Sequence, residues 1–137
     1  LYSSAASDVY KRQILYLTIM FINLSNHPFA TWSSSQLSAA REYGELQEIA
    51  FPNIDPKLSK AIVQKEADAC VTMILETYPT ENLTVHIMGE LTFCYYAVRL
   101  LKKAGIRCVA STTERIVEET EDHRKLVQFS FVQFREY

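Results

Sequence analysis

Phe21-Ile22-Asn23-Leu24-Ser25-Asn26-His27-Pro28 is the stretch that decides how this chain is read. A short, mostly apolar run gives way to three polar residues and a proline, the pattern of a strand covered on both faces that stops at a bend. The pattern recurs downstream: Leu83 to Met88 is followed by Gly89-Glu90, and Ile106 to Ala110 by Ser111-Thr112-Thr113. If the strands are parallel, the three polar stretches meet at one edge of the sheet. An open α/β sheet takes its ligand there, outside the carboxyl ends of its strands and where strand order reverses.

The segments between these strands read as helices. Ser33 to Tyr43 turns Leu37 and Ala40 inward and stops at Gly44. Leu46 to Phe51 is a further strand, closed by Pro52. Asp55-Pro56 predicts a helix start, because the Asp oxygen accepts an orphan amide and proline suits the first helical position. Val63, Ala67, Cys70, Ile74 and Tyr78 then form one apolar stripe, ended by Pro79. Phe93, Ala97, Leu100, Leu101 and Ala104 form another, ended by Gly105 after Lys102-Lys103.

The remainder reads as a hairpin, with Arg115 to Glu119 going out, a charged turn at Glu121 to Arg124, and Leu126 to Phe134 returning. Val127, Phe129 and Phe131 alternate with Gln128 and Ser130, so this last strand has one wet face or lies at a sheet edge. Right-handed crossovers then predict an α/β fold: a three-layer Rossmann-like sandwich, its sheet mainly parallel, with a C-terminal β-hairpin.

Composition narrows the function. A chain of 137 residues, 48% hydrophobic with 3 Gly and 4 Pro, is a folded single domain and not a disordered segment. A net charge of −2 with scattered signs leaves no basic stripe for a long nucleic acid. Cys70, Cys94 and Cys108 form no C-x-x-C pair, which argues against zinc, redox or disulfide roles. They read as small buried hydrophobes in a reducing cytoplasm.

The run Leu1 to Gln13 resembles a translated adapter found at the ends of metagenomic gene models. Residues 1–19 are therefore set aside as a non-native extension, with Met20 as the start of a domain spanning 20–137. The rival reading, a signal peptide made of Lys11-Arg12 and Ile14 to Leu24, lacks a small-residue cleavage site and is too short to span a bilayer. No membrane partner is expected.

No G-x-G-x-x-G follows the first strand and no G-x-x-x-x-G-K-S/T occurs, so NAD, FAD and P-loop nucleotides are poor candidates and no cofactor is expected. Gly89 lets backbone approach a ligand, and Thr92 can cap a helix whose free amides favour an anion. The same two residues also suit a tight turn with an ordinary cap. Glu90 would repel a phosphate and suits a ribose hydroxyl or a base amino group, unless it is a solvated first-turn acid.

His27 is the one histidine in a candidate loop, since His86 lies within a strand and His123 in the hairpin turn. With Ser25 and Asn26 beside it, His27 is the candidate general acid or base. Trp32 either stacks on a base or packs partly buried. Ser111, Thr112 and Thr113 supply three hydroxyls, with Arg115 nearby for charge. No cluster has metal-ligand spacing.

Together, Met20 to Pro28, Gly89-Glu90-Leu91-Thr92, Ser111-Thr112-Thr113-Glu114-Arg115 and the ending Phe134-Arg135-Glu136-Tyr137 resemble small type III CRISPR-accessory proteins related to the CRISPR-associated Rossmann fold. The resemblance implies a homodimer that binds a cyclic oligoadenylate second messenger between its subunits. In the ring-nuclease members a ribose 2′-hydroxyl attacks its neighbouring phosphate without a metal, leaving a 2′,3′-cyclic phosphate and ending antiviral signalling. Carried over by position, the ligand would be met by Ser25, Asn26 and His27, by Gly89, Glu90 and Thr92, and by Ser111 to Thr113. Larger relatives have a Gly-Gly-Thr-Lys-like loop, whereas this chain has Gly-Glu-Leu-Thr, which puts tight phosphate gripping in doubt. The alternatives are a noncatalytic sensor or sequestering module for the same ligand, and a Rossmann-like domain for some other small anion.

Overall fold

Met20–Ser25 (β1) is buried at every residue, as its apolar run requires, and is an interior strand of the sheet. The structure is a computed structural model that describes residues 18–137. The adapter reading therefore concerns a stretch of which residues 1–17 lie outside the described residues. Around β1 stand Glu45–Glu48 (β2), Leu83–Met88 (β3), Arg107–Glu119 (β4) and Lys125–Glu136 (β5), in the order β2-β1-β3-β4-β5. The first four are mutually parallel, and β5 runs antiparallel to β4. The fold is thus α/β on a mixed, mostly parallel sheet, with helices Ser34–Arg41 (α1), Lys60–Thr77 (α2) and Leu91–Lys103 (α3).

Period-two alternation divides β1 between two cores. Ile22 and Leu24 join Val85 and Ile87 of β3 under Ala67 and Ile74 of α2 and Phe93 and Leu101 of α3. Phe21 points the other way, into a smaller aromatic cluster with Trp32, Ala40 of α1, Val109 and Phe134. Burial of a side chain the size of Phe21 or Phe93, both fully enclosed, contributes about 1.5–3 kcal/mol. Among the described residues no helix is long and apolar enough to cross a membrane.

Several expected boundaries move, each for a local reason. Helix α2 starts after Ser59, whose side chain accepts from Ile62 N, and not at Asp55-Pro56. Asp55 instead spends its carboxylate on Lys57 N at 2.8 Å, closing a separate turn. On α2 the third buried position is Val71, and Cys70 is only half-buried. Strand β2 ends at Glu48, short of Phe51, although Ile49 N still reaches Asn23 O at 3.0 Å.

The largest correction concerns Ser111, Thr112 and Thr113. They do not form a loop after the fourth strand. They lie inside β4, in register with Phe134, Gln133 and Phe131, with a β-bulge between Thr112 and Thr113. Two β-branched residues and a paired return strand favour continuing the ladder over ending it. What reads as a strand, a loop and a hairpin arm is therefore one strand of 13 residues.

Candidate functional site

Strand order reverses between β1 and β3: the chain passes from β1 outward to β2, then returns to lay β3 on the other side. The bends that follow these two strands are tied together by Asn26 N donating to Met88 O at 3.1 Å. A cleft of about 570 Å³ opens at this point, lined among others by Ser25, Asn26, Glu48, Phe51, Asn53 and Glu90. A second cleft of about 620 Å³ lies at the amino ends of the strands, and no sequence-predicted site residue lines it.

The bend after β1 is built around a single carbonyl. His27 O accepts from Asn23 Nδ2 at 2.9 Å and Trp32 Nε1 at 2.8 Å, with Ser25 Oγ lying 3.1 Å away. Held this way, the His27 side chain is exposed at the rim, between the cleft residues Asn26 and Pro28. Trp32 is accordingly packing: it is buried against Phe21, Phe29, His86 and Phe134, and does not offer its face to a base.

Behind the bend runs a buried polar chain that the sequence reading passed over. Asn23 Nδ2 faces two acceptors, His27 O and, at 3.4 Å, a Glu48 carboxylate oxygen, so Asn23 Oδ1 must face the donors. Those donors are Ser25 Oγ at 2.7 Å and His86 Nδ1 at 2.9 Å. His86 is therefore the Nδ1–H tautomer, assigned from its partners, and its Nε2 accepts the Ser111 hydroxyl at 2.7 Å. Ser111 Oγ in turn accepts from Gln36 Nε2 at 3.0 Å. Burial, and secondarily the nearby His27, lower the His86 pKa to about 4, so the ring is neutral near pH 7. The available signal was a polar residue in the middle of each of two mostly apolar strands; Asn23 and His86 are direct register partners.

The bend after β3 takes the plainer of its two readings, a tight turn with a helix cap, though the capping residue differs. Glu90, not Thr92, is the N-cap of α3: its carboxylate accepts from Phe93 N at 2.7 Å and from the Thr92 hydroxyl. The Phe93 amide, followed by the Thr92 hydroxyl, lowers the Glu90 pKa, so the helix end expected to favour an anion already holds a carboxylate. Gly89 is packed against Phe51, whose ring would lie 2.4 Å from an added Cβ; the space over this glycine is filled by protein. Thr112 Oγ1 exchanges hydrogen bonds with Gln133 across the bulge, and Thr113 is exposed.

The structure thus gathers Ser25, Asn26 and Glu90 around one cleft, with His27 at its margin. Ser111 joins the buried chain behind it, and Thr112 and Thr113 lie farther along β4. Two carboxylates, Glu48 and Glu90, line the cleft, and no lysine or arginine does. Of the cysteines, Cys94 and Cys108 are buried and Cys70 is half-buried. Burial pushes the Cys94 and Cys108 thiols up to about 11, as inert apolar residues.

A protein-family model described as "Uncharacterized protein MJ1673 family" matches residues 19–135. No curated protein and no solved structure matches the chain.

Proposed function

The chain belongs to that MJ1673 family, whose description carries no activity, and from its resemblance to small type III CRISPR-accessory proteins, with which the geometry of its sheet edge is compatible, we propose that it binds a cyclic oligoadenylate and opens the ring. The observation that carries the reading is the convergence of Ser25, Asn26 and Glu90 on one cleft where the strand order reverses. The order β2-β1-β3-β4-β5, with helices packed on both faces, supports the finer description as a Rossmann-like sandwich.

An acidic cleft repels phosphates and accepts hydrogen bonds from sugar hydroxyls and the adenine amino group. The ring therefore enters nucleoside first, with Glu90 reading ribose or base and its phosphates at the rim beside His27. There His27 takes the 2′-hydroxyl proton as that oxygen attacks its neighbouring phosphate, the P–O5′ bond breaks, and the departing 5′-oxygen takes a proton, leaving a 5′-hydroxyl and a 2′,3′-cyclic phosphate. A homodimer in the cytoplasm, matching the symmetry of the ring, completes the reading.

A second reading, a noncatalytic sensor or sequestering module, is favoured by a specific observation: the hydroxyls of Ser25, Thr92 and Thr112 are all taken up in internal hydrogen bonds. Incubation with cyclic tetra- and hexa-adenylate in EDTA separates the two. Linear products ending in a 2′,3′-cyclic phosphate are expected. Ligand that is bound but intact selects the sensor, and absence of binding removes both. A His27→Ala variant that kept the full rate would place proton transfer elsewhere.

A further inference from the structure

Strand β3 ends at Met88, beside Ser111 of β4, yet β4 runs on for eight residues to Glu119. At about 3.3 Å per residue, the β4–β5 hairpin extends roughly 26 Å past the rim that carries the candidate cleft. Every residue from Thr113 to Ser130 in this arm is exposed. An isolated two-stranded hairpin is marginally stable in water, and this one exposes apolar side chains on both faces.

We propose that the arm is a clasp that closes on a second copy of this chain, laid along that copy's α3 with the two rims facing each other. The nucleotide reading names a dimer without saying which surface makes it, and this inference stands without that ligand. The match is one of order. Alternation from Cys108, which faces α2 and α3, puts Glu114, Ile116 and Glu118 of β4 on one face, with Leu126 opposite Glu118. Beyond them the tip carries Glu119, Glu121 and Asp122, against Arg124 and Lys125.

Helix α3 starts at the same rim and shows a complementary stripe at helical spacing: Leu91, 82% exposed, Tyr95, 58% exposed, Arg99 stacked on the Tyr95 ring, then Lys102 and Lys103. Its 13 residues span about 20 Å, within the arm's reach. On that face Glu114 lies nearest the rim, with Ile116 and then Leu126 farther out; laid along α3, these two apolar residues come over Leu91 and Tyr95, and the acidic tip reaches the basic end. The opposite face of the arm, with Val117, Val127 and Phe129, carries Arg115 among them and finds no such counterpart. A twofold axis repeats the contact, each copy giving one arm and receiving one.

Sedimentation equilibrium of the full chain without ligand should give twice the chain mass at micromolar concentration, with dissociation promoted by salt. Ile116→Lys combined with Leu126→Lys should raise the dimer dissociation constant at least tenfold while leaving the circular dichroism spectrum unchanged. Glu118→Lys with Glu119→Lys should do the same, and mixing that variant with Arg99→Glu, Lys103→Glu protein should restore a mixed dimer. A monomer at these concentrations, or a dimer indifferent to all these changes, overturns the proposal.

Discussion

Asn23 and His86 face each other in register on β1 and β3, and their side chains are also joined, Nδ1 to Oδ1 at 2.9 Å, in a site where both residues are fully buried. This pair connects the bend that presents His27 to the strand that carries the arm, because Asn23 holds the His27 carbonyl and His86 holds Ser111. Predictions about the site therefore begin with it.

The unfolded chain takes up a proton on His86 near pH 6.5, whereas the folded protein does so only near 4. Unfolding is coupled to proton uptake between those values, so stability falls as the pH drops through this window and levels off below it. The lowered pKa corresponds to about 3 kcal/mol. Urea denaturation at pH 7, 5.5 and 4 should show this loss, and a His86→Gln variant should show a smaller slope across the same range.

Asn23→Ala should destabilise the protein by about 3 kcal/mol, because it strands a buried ring N–H and removes one donor from the His27 carbonyl. Ser25→Ala, which leaves two donors on that carbonyl, should cost about 1 kcal/mol. Equal losses in the two variants, measured by urea denaturation, would mean that the bend does not depend on Asn23 as described.

Gly89→Ala drives a methyl group into the Phe51 ring, which is itself packed edge-on against Phe93 at 5.2 Å between centroids. A loss of about 1–3 kcal/mol is expected. The same substitution in a Phe51→Ala background should cost clearly less, so a double-mutant cycle tests the contact directly.

Glu90→Ala should lower stability by about 1 kcal/mol through loss of the α3 cap. Glu90→Ser retains a capping oxygen without the charge and should recover most of that loss. If Glu90 also reads a nucleoside, Glu90→Ser will melt close to the parent protein yet bind cyclic tetra-adenylate more weakly in calorimetry.

The alternation of strand and helix was legible because β1, β3 and the α3 stripe are apolar in the rhythm their burial demands. The β4 continuation was not, since Ser111-Thr112-Thr113 has the composition of a bend and only the pairing with β5 makes it strand. The cleft residues Ser25, Asn26 and Glu90 were found from their position after strands. Asn23, His86, Gln36 and Glu48 were missed because their roles come from distant partners, 25 to 75 residues apart in sequence. Likewise, Glu90 and not Thr92 is the cap because its carboxylate stands three residues before the Phe93 amide, the spacing at which a cap accepts.

Strand β4 is unbroken from Arg107 to Glu119, and the bulge at Thr112/Thr113 is the irregularity in its pairing with β5. Ser111, which grips the imidazole, thus rides on the same rod as the projecting hairpin. A continuous run of hydrogen bonds through Ser111, His86 and Asn23 therefore joins the strand that bears the hairpin to the His27 bend. By reciprocity, if closing the proposed clasp on a second copy shifts that bend, a ligand bound at the bend shifts the closure by the same free energy.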